Sequence, residues 1–119
     1  MSRDYEYYAK EFVEGLLEQD RAIWQTLGTP YMRKQERRFS RAAEKLTESE
    51  DGVGVFVRLL DHESPHVALT AAVYLLDTSA EMKAVEKLRE YAKGPEENFD
   101  ASCARERLKD WEKQKAQKR

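Results

Sequence analysis

Residues Phe56–Asp77, FVRLLDHESPHVALTAAVYLLD, decide how this chain folds. Two apolar runs with steps of three and four are divided at Ser64-Pro65, and such steps mark helices. Pro65 suits the first turn of a helix, because the N–H it lacks would have had no partner there. Ser64 before it can cap the exposed N–H groups. The run after the break, PHVALTAAVYLLD, is apolar on nearly every side. A helix without a polar face must be covered from several directions, so this one is expected at the centre of an all-α fold.

The same stretch contains His62-Glu63-Ser64-Pro65-His66, which matches the H-E-x-x-H signature of zinc peptidases. That chemistry needs both histidines one turn apart on a continuous helix, with the glutamate over a metal-bound water. Pro65 inside a helix would cost roughly 3 kcal/mol and push Ser64 out of helical conformation. The string therefore reads as a turn, with His62 closing one helix and His66 in the first turn of the next. No third histidine exists to complete a ligand set. No cofactor or metal is expected.

Working outward, the chain reads as about six helices. The first covers Arg3 to Leu27, with Tyr5, Tyr8, Phe12, Val13, Leu16, Leu17, Ile23, Trp24 and Leu27 inward; Gly15 and Gln19-Asp20 offer places to bend. Gly28 suits the left-handed residue after a helix, and Thr29-Pro30 restarts the chain. The second helix runs to Leu46, with Met32, Gln35, Phe39, Ala42, Ala43 and Leu46 inward. After TESEDGVG comes a third, Val53 to Asp61, with Val55, Phe56, Leu59 and Leu60 inward. The stretch VGVFV is β-branched but short and glycine-interrupted, and it continues helically. The central helix is the fourth. Thr78 and Glu81 form a capping-box pattern for the fifth, whose inward face is Met82, Val85, Leu88 and Ala92. The sixth covers Phe99 to Glu112, using Phe99, Cys103, Ala104, Leu108 and Trp111. Residues 1–112 are thus one domain, and 113–119 a basic tail without an apolar stripe, expected to fray.

The 37% charged content fits narrow apolar stripes on exposed helices. No run of about 18 apolar residues could span a membrane, and the N-terminus lacks the basic and apolar regions of a signal peptide. The lone Cys103 excludes an internal disulfide and sits on an inward face, where it packs as a small apolar residue. Together these point to the cytoplasm. There is no G-x-S-x-G, no phosphate-binding glycine loop and no Cys-x-x-Cys. The chain is not expected to be an enzyme.

Charge is blocked along the chain. Residues 1–20 and 48–63 each carry a net −4, and residues 31–46 and 107–119 each carry +4. Lys34, Arg37, Arg38, Arg41 and Lys45 recur at helical steps on the outer face of the second helix. They could contact phosphates or pair with the acidic blocks. Few aromatics interleave with them, so nucleic-acid binding is the alternative and not the leading reading. The expected role is binding another protein. Glu50, Asp51, Asp61 and Glu63, with Tyr74, are the candidate contact residues. Tyr7, Tyr31 and Tyr91 are further aromatics available to anchor a partner.

Helices three and four, and five and six, form two successive antiparallel pairs beginning near Val53 and Glu81, a period of roughly 28 to 30 residues. The quoted stretch resembles the HEAT-repeat core at Leu59, Leu60, Asp61, Pro65, Val67, Ala71, Ala72, Leu75 and Leu76. It departs at Ala68, where the repeat commonly has Arg or Lys. With KEFVEGLLEQDRAIWQ in front and a basic second helix, residues 8 to 112 are similar to a family of small bacterial HEAT-like helical proteins of unknown function. That resemblance implies a short right-handed α-solenoid with no established enzymatic activity. It also implies a partner class, since similar small HEAT-like proteins often serve as immunity proteins that neutralise bacterial toxin domains.

Overall fold

The computed structural model describes the backbone of residues 3–25 and 28–117, and the side chains of 4–22 and 28–117. The expected inward positions Ile23, Trp24 and Leu27 lie outside the described side chains. The chain order is α1 (Arg3–Gln25), α2 (Thr29–Thr47), α3 (Glu50–Val57) with a 3₁₀ turn (Arg58–Asp61), α4 (Pro65–Leu75), α5 (Glu81–Ala92) and α6 (Phe99–Gln117). No strand occurs among the described residues, and VGVFV is helical as expected.

The division at Ser64-Pro65 holds. Ser64 is the N-cap of α4, with its hydroxyl accepting from the N–H of Val67, and Pro65 opens the helix. Val67, Ala68, Leu69, Ala71, Ala72 and Leu75 are all buried, and α4 packs against α1, α2, α3, α5 and α6. A helix apolar nearly all round has become the centre of the fold, the placement that removes most of its surface from water. Neighbours in sequence pair around it: α1 lies along α2, and α5 along α6. Gly15 permits the first of these contacts, because a Cβ there would stand 3.1 Å from Phe39 Cβ and 3.2 Å from the Gln35 carbonyl oxygen.

Local signals fared unequally. Gly28, with φ 93°, is the N-cap of α2, so Thr29 is already helical and gives no side-chain cap. Helix α3 begins at Glu50, three residues before the expected start. Ser49 caps it by accepting from the N–H of Gly52, and Glu50 and Asp51 sit in its first turn, where acids oppose the positive end of the helix dipole. The Thr78–Glu81 capping box does not form. Thr78 Oγ1 accepts from the N–H of Ala80 instead, and Glu81 reaches across to Trp111 Nε1 at 2.9 Å and Lys115 Nζ at 2.9 Å.

That long contact also explains the tail. Helix α6 does not stop at Glu112 but continues to Gln117, with Lys115 tied to Glu81. Inside α6 the buried positions are Ala101 and Ala104, whereas Phe99 is 79% exposed. Small alanines let α5 and α6 approach, and Phe99 falls at the mouth of the helix. Met82, expected inward, is also exposed, since α5 turns Ala84, Val85 and Leu88 to the core. The α5–α6 connection is closed by side chains. Arg105 donates to the carbonyls of Ala92 and Gly94, and Asn98 accepts from the N–H of Ala101. Both supply partners to helix ends that would otherwise lack them.

Candidate binding groove

The structure separates the acidic candidates. Glu50 and Asp51 start α3, while Asp61 and Glu63 follow its other end, roughly 18 Å away by helix rise. Two of the four have partners. Glu50 accepts from Ser79 Oγ at 2.6 Å, and Asp61 lies 3.4 Å from Lys87 Nζ, which also meets Glu90 at 3.2 Å. Burial of Lys87 opposes its charge, but hydrogen bonds to Glu90 and Asp61 outweigh this and raise its pKa. Tyr74 lies elsewhere. Its ring packs edge-on against Phe12, and its hydroxyl is 3.3 Å from Ser40 Oγ.

The basic stripe is also divided. Arg38 turns toward α1, where it grips Glu11 through two parallel hydrogen bonds of 2.9 and 2.8 Å, Glu14 at 2.6 Å, and the buried Gln35 at 3.3 Å. Lys45 is 3.8 Å from Glu48. Lys34, Arg37 and Arg41 remain exposed on the outer face. The Arg38 clamp is a structural tie between α1 and α2. Its hydrogen bonds hold the Glu11 carboxyl below the ordinary value of 4.5, and Glu11 in turn raises the pKa of Arg38.

A pH dependence follows. Because the fold lowers the proton affinity of Glu11, the clamp stabilises fully above pH 4.5 and its contribution is lost as the pH falls below that value. The groups are partly exposed, so screening limits the effect to about 1 kcal/mol. Between about pH 6 and about pH 3, the wild type should lose about 1 kcal/mol more than Arg38→Met in urea titrations. Parallel stability curves for the two proteins would show that the clamp contributes nothing.

The histidines of the H-E-x-x-H string have separate partners. His62 Nδ1 accepts from the N–H of Ser64, which shapes the turn. His66 Nδ1 lies 2.7 Å from Asp20 Oδ1 of α1, without the in-line geometry of a hydrogen bond, so the two attract as ions when the imidazole is protonated. Among the described residues no group of three His, Cys, Asp or Glu side chains could hold a metal ion. Among the described residues no helix is long and apolar enough to cross a membrane.

The largest hollow lies over the uncovered side of α4. It measures about 870 Å³, with Pro65, Leu69 and Val73 on its floor, Gln19, Asp20 and Phe39 on one wall, and Phe99, Cys103 and Arg107 on the other. Two more hollows continue it at the C-terminal end of α4. One of about 450 Å³ lies toward α2, between Ser40, Glu44, Thr47, Tyr74, Asp77 and Thr78. The other, about 260 Å³, lies toward α6 and includes Leu76, Asp77, Arg107 and Trp111. Shared residues join them into one groove: Tyr74 links the first to the second, Asp77 the second to the third, and Val73 and Arg107 the third to the first. Of the candidate binding residues named from sequence, only Tyr74 belongs to it. Ser40, Glu44 and Arg107 look like ordinary outward positions in the linear chain, and only the packing of α2, α4 and α6 brings them to one face. The signal available was the all-apolar α4, whose Pro65 and Val73 stay at least partly exposed although every other helix touches it.

No family model matches this chain, and no curated protein matches it. Among solved structures, the chain is similar to the crystal structure of the protein RPA1889 from Rhodopseudomonas palustris CGA009, with a TM-score of 0.74 and 21% sequence identity over 88% of this chain and 85% of that one. At that identity the likeness is one of fold: the chain shares its helical arrangement with a solved bacterial protein.

Proposed function

We propose that the chain is a non-enzymatic protein-binding domain, a short HEAT-like stack of helix pairs that holds a segment of its partner along α4. The observation that carries this reading is the continuous groove over α4. Its floor is apolar, its rim is polar, and Tyr74, Phe99 and Arg107 line it. Apolar centres with polar rims, anchored by aromatic and arginine side chains, are how protein interfaces are built. Phe99 has no core role to explain its exposure. The successive pairs α1–α2, α3–α4 and α5–α6 support the HEAT-like reading, since each pair presents one helix to a shared face.

A photo-crosslinking amino acid tests the face directly. Placed at Phe99 in cells of the source organism, it should give a covalent adduct with one protein that survives nuclease. Placed at Lys34, on the outer face of α2, it should not. Adducts confined to Lys34 and removed by nuclease would replace this reading with nucleic-acid binding by α2. A partner encoded beside this gene and toxic on its own would narrow the role to immunity against a toxin.

A further inference from the structure

We propose that the occupant of the groove is a basic amphipathic segment of another protein, with apolar side chains on the floor of α4 and a lysine or arginine in the hollow between Glu44 and Asp77. The proposal rests on the groove being the binding face and adds the chemistry of what it takes.

The charge around the groove does not balance. Its three hollows are bordered by five carboxylates against two permanent cations, Arg107 and Lys113. The whole chain carries only −2, and the outer side of α2 is basic. This face is therefore locally acidic on a chain whose total charge is nearly balanced. Opposite charge at an interface speeds encounter and disfavours wrong partners.

The hydroxyls beside Glu44 and Asp77 sharpen the choice. Thr47 donates its proton to the carbonyl of Ala43 at 3.0 Å, and Thr78 donates to that of Leu75 at 2.7 Å. With these protons committed to backbone, both oxygens offer only lone pairs to the hollow. Neither Glu44 nor Asp77 has an ion-pair partner among the described residues. The lining therefore holds two carboxylates and two acceptor-only hydroxyls, beside the Ser40–Tyr74 hydroxyl pair, which can both donate and accept; acceptors predominate, which suits a group that donates several N–H bonds and accepts none. Ammonium and guanidinium are the side-chain groups of that kind. Beside this hollow the surface turns apolar at Val73, Leu69 and Phe99. From Pro65 to Asp77 the floor is about 18 Å long, enough for about a dozen residues of a partner helix.

The test uses the whole chain and three fluorescein-labelled peptides of about 14 residues: an amphipathic Leu/Lys helix, the same helix with Glu for Lys, and a Gly/Ser/Lys peptide without apolar residues. The Leu/Lys peptide should bind saturably one to one, and the other two at least tenfold more weakly. Glu44→Gln with Asp77→Asn should weaken Leu/Lys binding about tenfold, the loss of two exposed ion pairs. Asp51→Asn with Glu63→Gln removes the same net charge elsewhere and should leave binding unchanged. Circular dichroism checks that both variants keep their helix. Equal weakening by the two double variants, or equal binding of the Lys and Glu helices, overturns the basic-segment proposal while leaving the groove in place. Binding untouched by Phe99→Ala would instead remove the groove as the binding face. Concentration-dependent dimerisation of the chain, abolished by Glu44→Gln with Asp77→Asn, would identify a second copy as occupant and overturn the proposal.

Discussion

Gly52→Ala is expected to cost about 3 kcal/mol of stability, while Gly54→Ala in the same helix should add about 0.5 to 1 kcal/mol. The two glycines share a short helix but not an environment. Gly52 is buried where the first turn of α3 crosses the end of α2. A Cβ there would overlap the carbonyl oxygen of Leu46 and stand 3.0 Å from its carbon and 3.2 Å from its Cα. These are backbone atoms and cannot rotate away, so α3 would have to lift from α2. Lifting it pulls Gly52 N–H from the Ser49 hydroxyl, which caps the helix, and moves Phe56 out of the core. A Cβ on Gly54 meets nothing within 4 Å. There the methyl only reduces the freedom of the unfolded chain and raises helix propensity. For a domain of this size the melting temperature should fall by about 12 °C in the first variant and rise by about 2 to 4 °C in the second. Similar shifts for both would mean that α3 does not press on α2 at Leu46.

Glycine 52 also shows where sequence reading reaches its limit. TESEDGVG has the composition of a loop, and the acids and glycines hid a helix start. Yet Ser49 followed by Glu50 and Asp51 is a cap with acids in the first turn, legible once the glycines are understood as contact residues and not as breakers. The centrality of α4 was legible because an all-apolar helix permits little else. The Thr78–Glu81 box was misread for a different reason. Glu81 has two possible uses, and the one it takes, with Trp111 and Lys115, lies 30 and 34 residues away. Arg38 poses the same problem. It shares residue type and stripe with Arg37 and Arg41, and only the side of α2 that meets Glu11 and Glu14 separates a structural arginine from two exposed ones. The groove was the least legible feature, since each helix contributes residues that look solvent-facing on their own. The acidic 48–63 block suggested an acidic contact surface, whereas the carboxylates that border the hollows are instead Asp20 of α1, Glu44 of α2, Asp77 just after α4, and Asp100 and Asp110 of α6.

Phe12→Ala should destabilise the protein by about 3 to 5 kcal/mol, and Phe12→Leu by no more than about 1.5 kcal/mol. Phe12 is fully buried and stands at the hub of an aromatic cluster. Its ring meets Phe56 edge-on at 4.8 Å, Tyr74 at 5.9 Å and Phe39 at 6.1 Å. Those three partners come from α3, α4 and α2, so one side chain on α1 joins four helices. Truncation removes the apolar area and also the edge-to-face contacts, each worth about 0.5 to 1.5 kcal/mol beyond burial. Leucine keeps most of the volume and loses only the ring contacts, so the gap between the variants measures cavity against ring geometry. The consequence reaches the groove. Tyr74 lines it with one edge while resting on Phe12 and Phe56 with the other, and its hydroxyl stays near Ser40 only while the ring is held. Phe12→Leu should therefore remain folded yet bind a groove ligand several-fold more weakly, although Phe12 is itself inaccessible to any partner. Urea titration supplies the stability values and a fluorescein-labelled Leu/Lys helix the affinities. A Phe12→Leu protein of near-normal stability and unchanged affinity would show that the aromatic cluster supports the core alone and does not set the position of Tyr74.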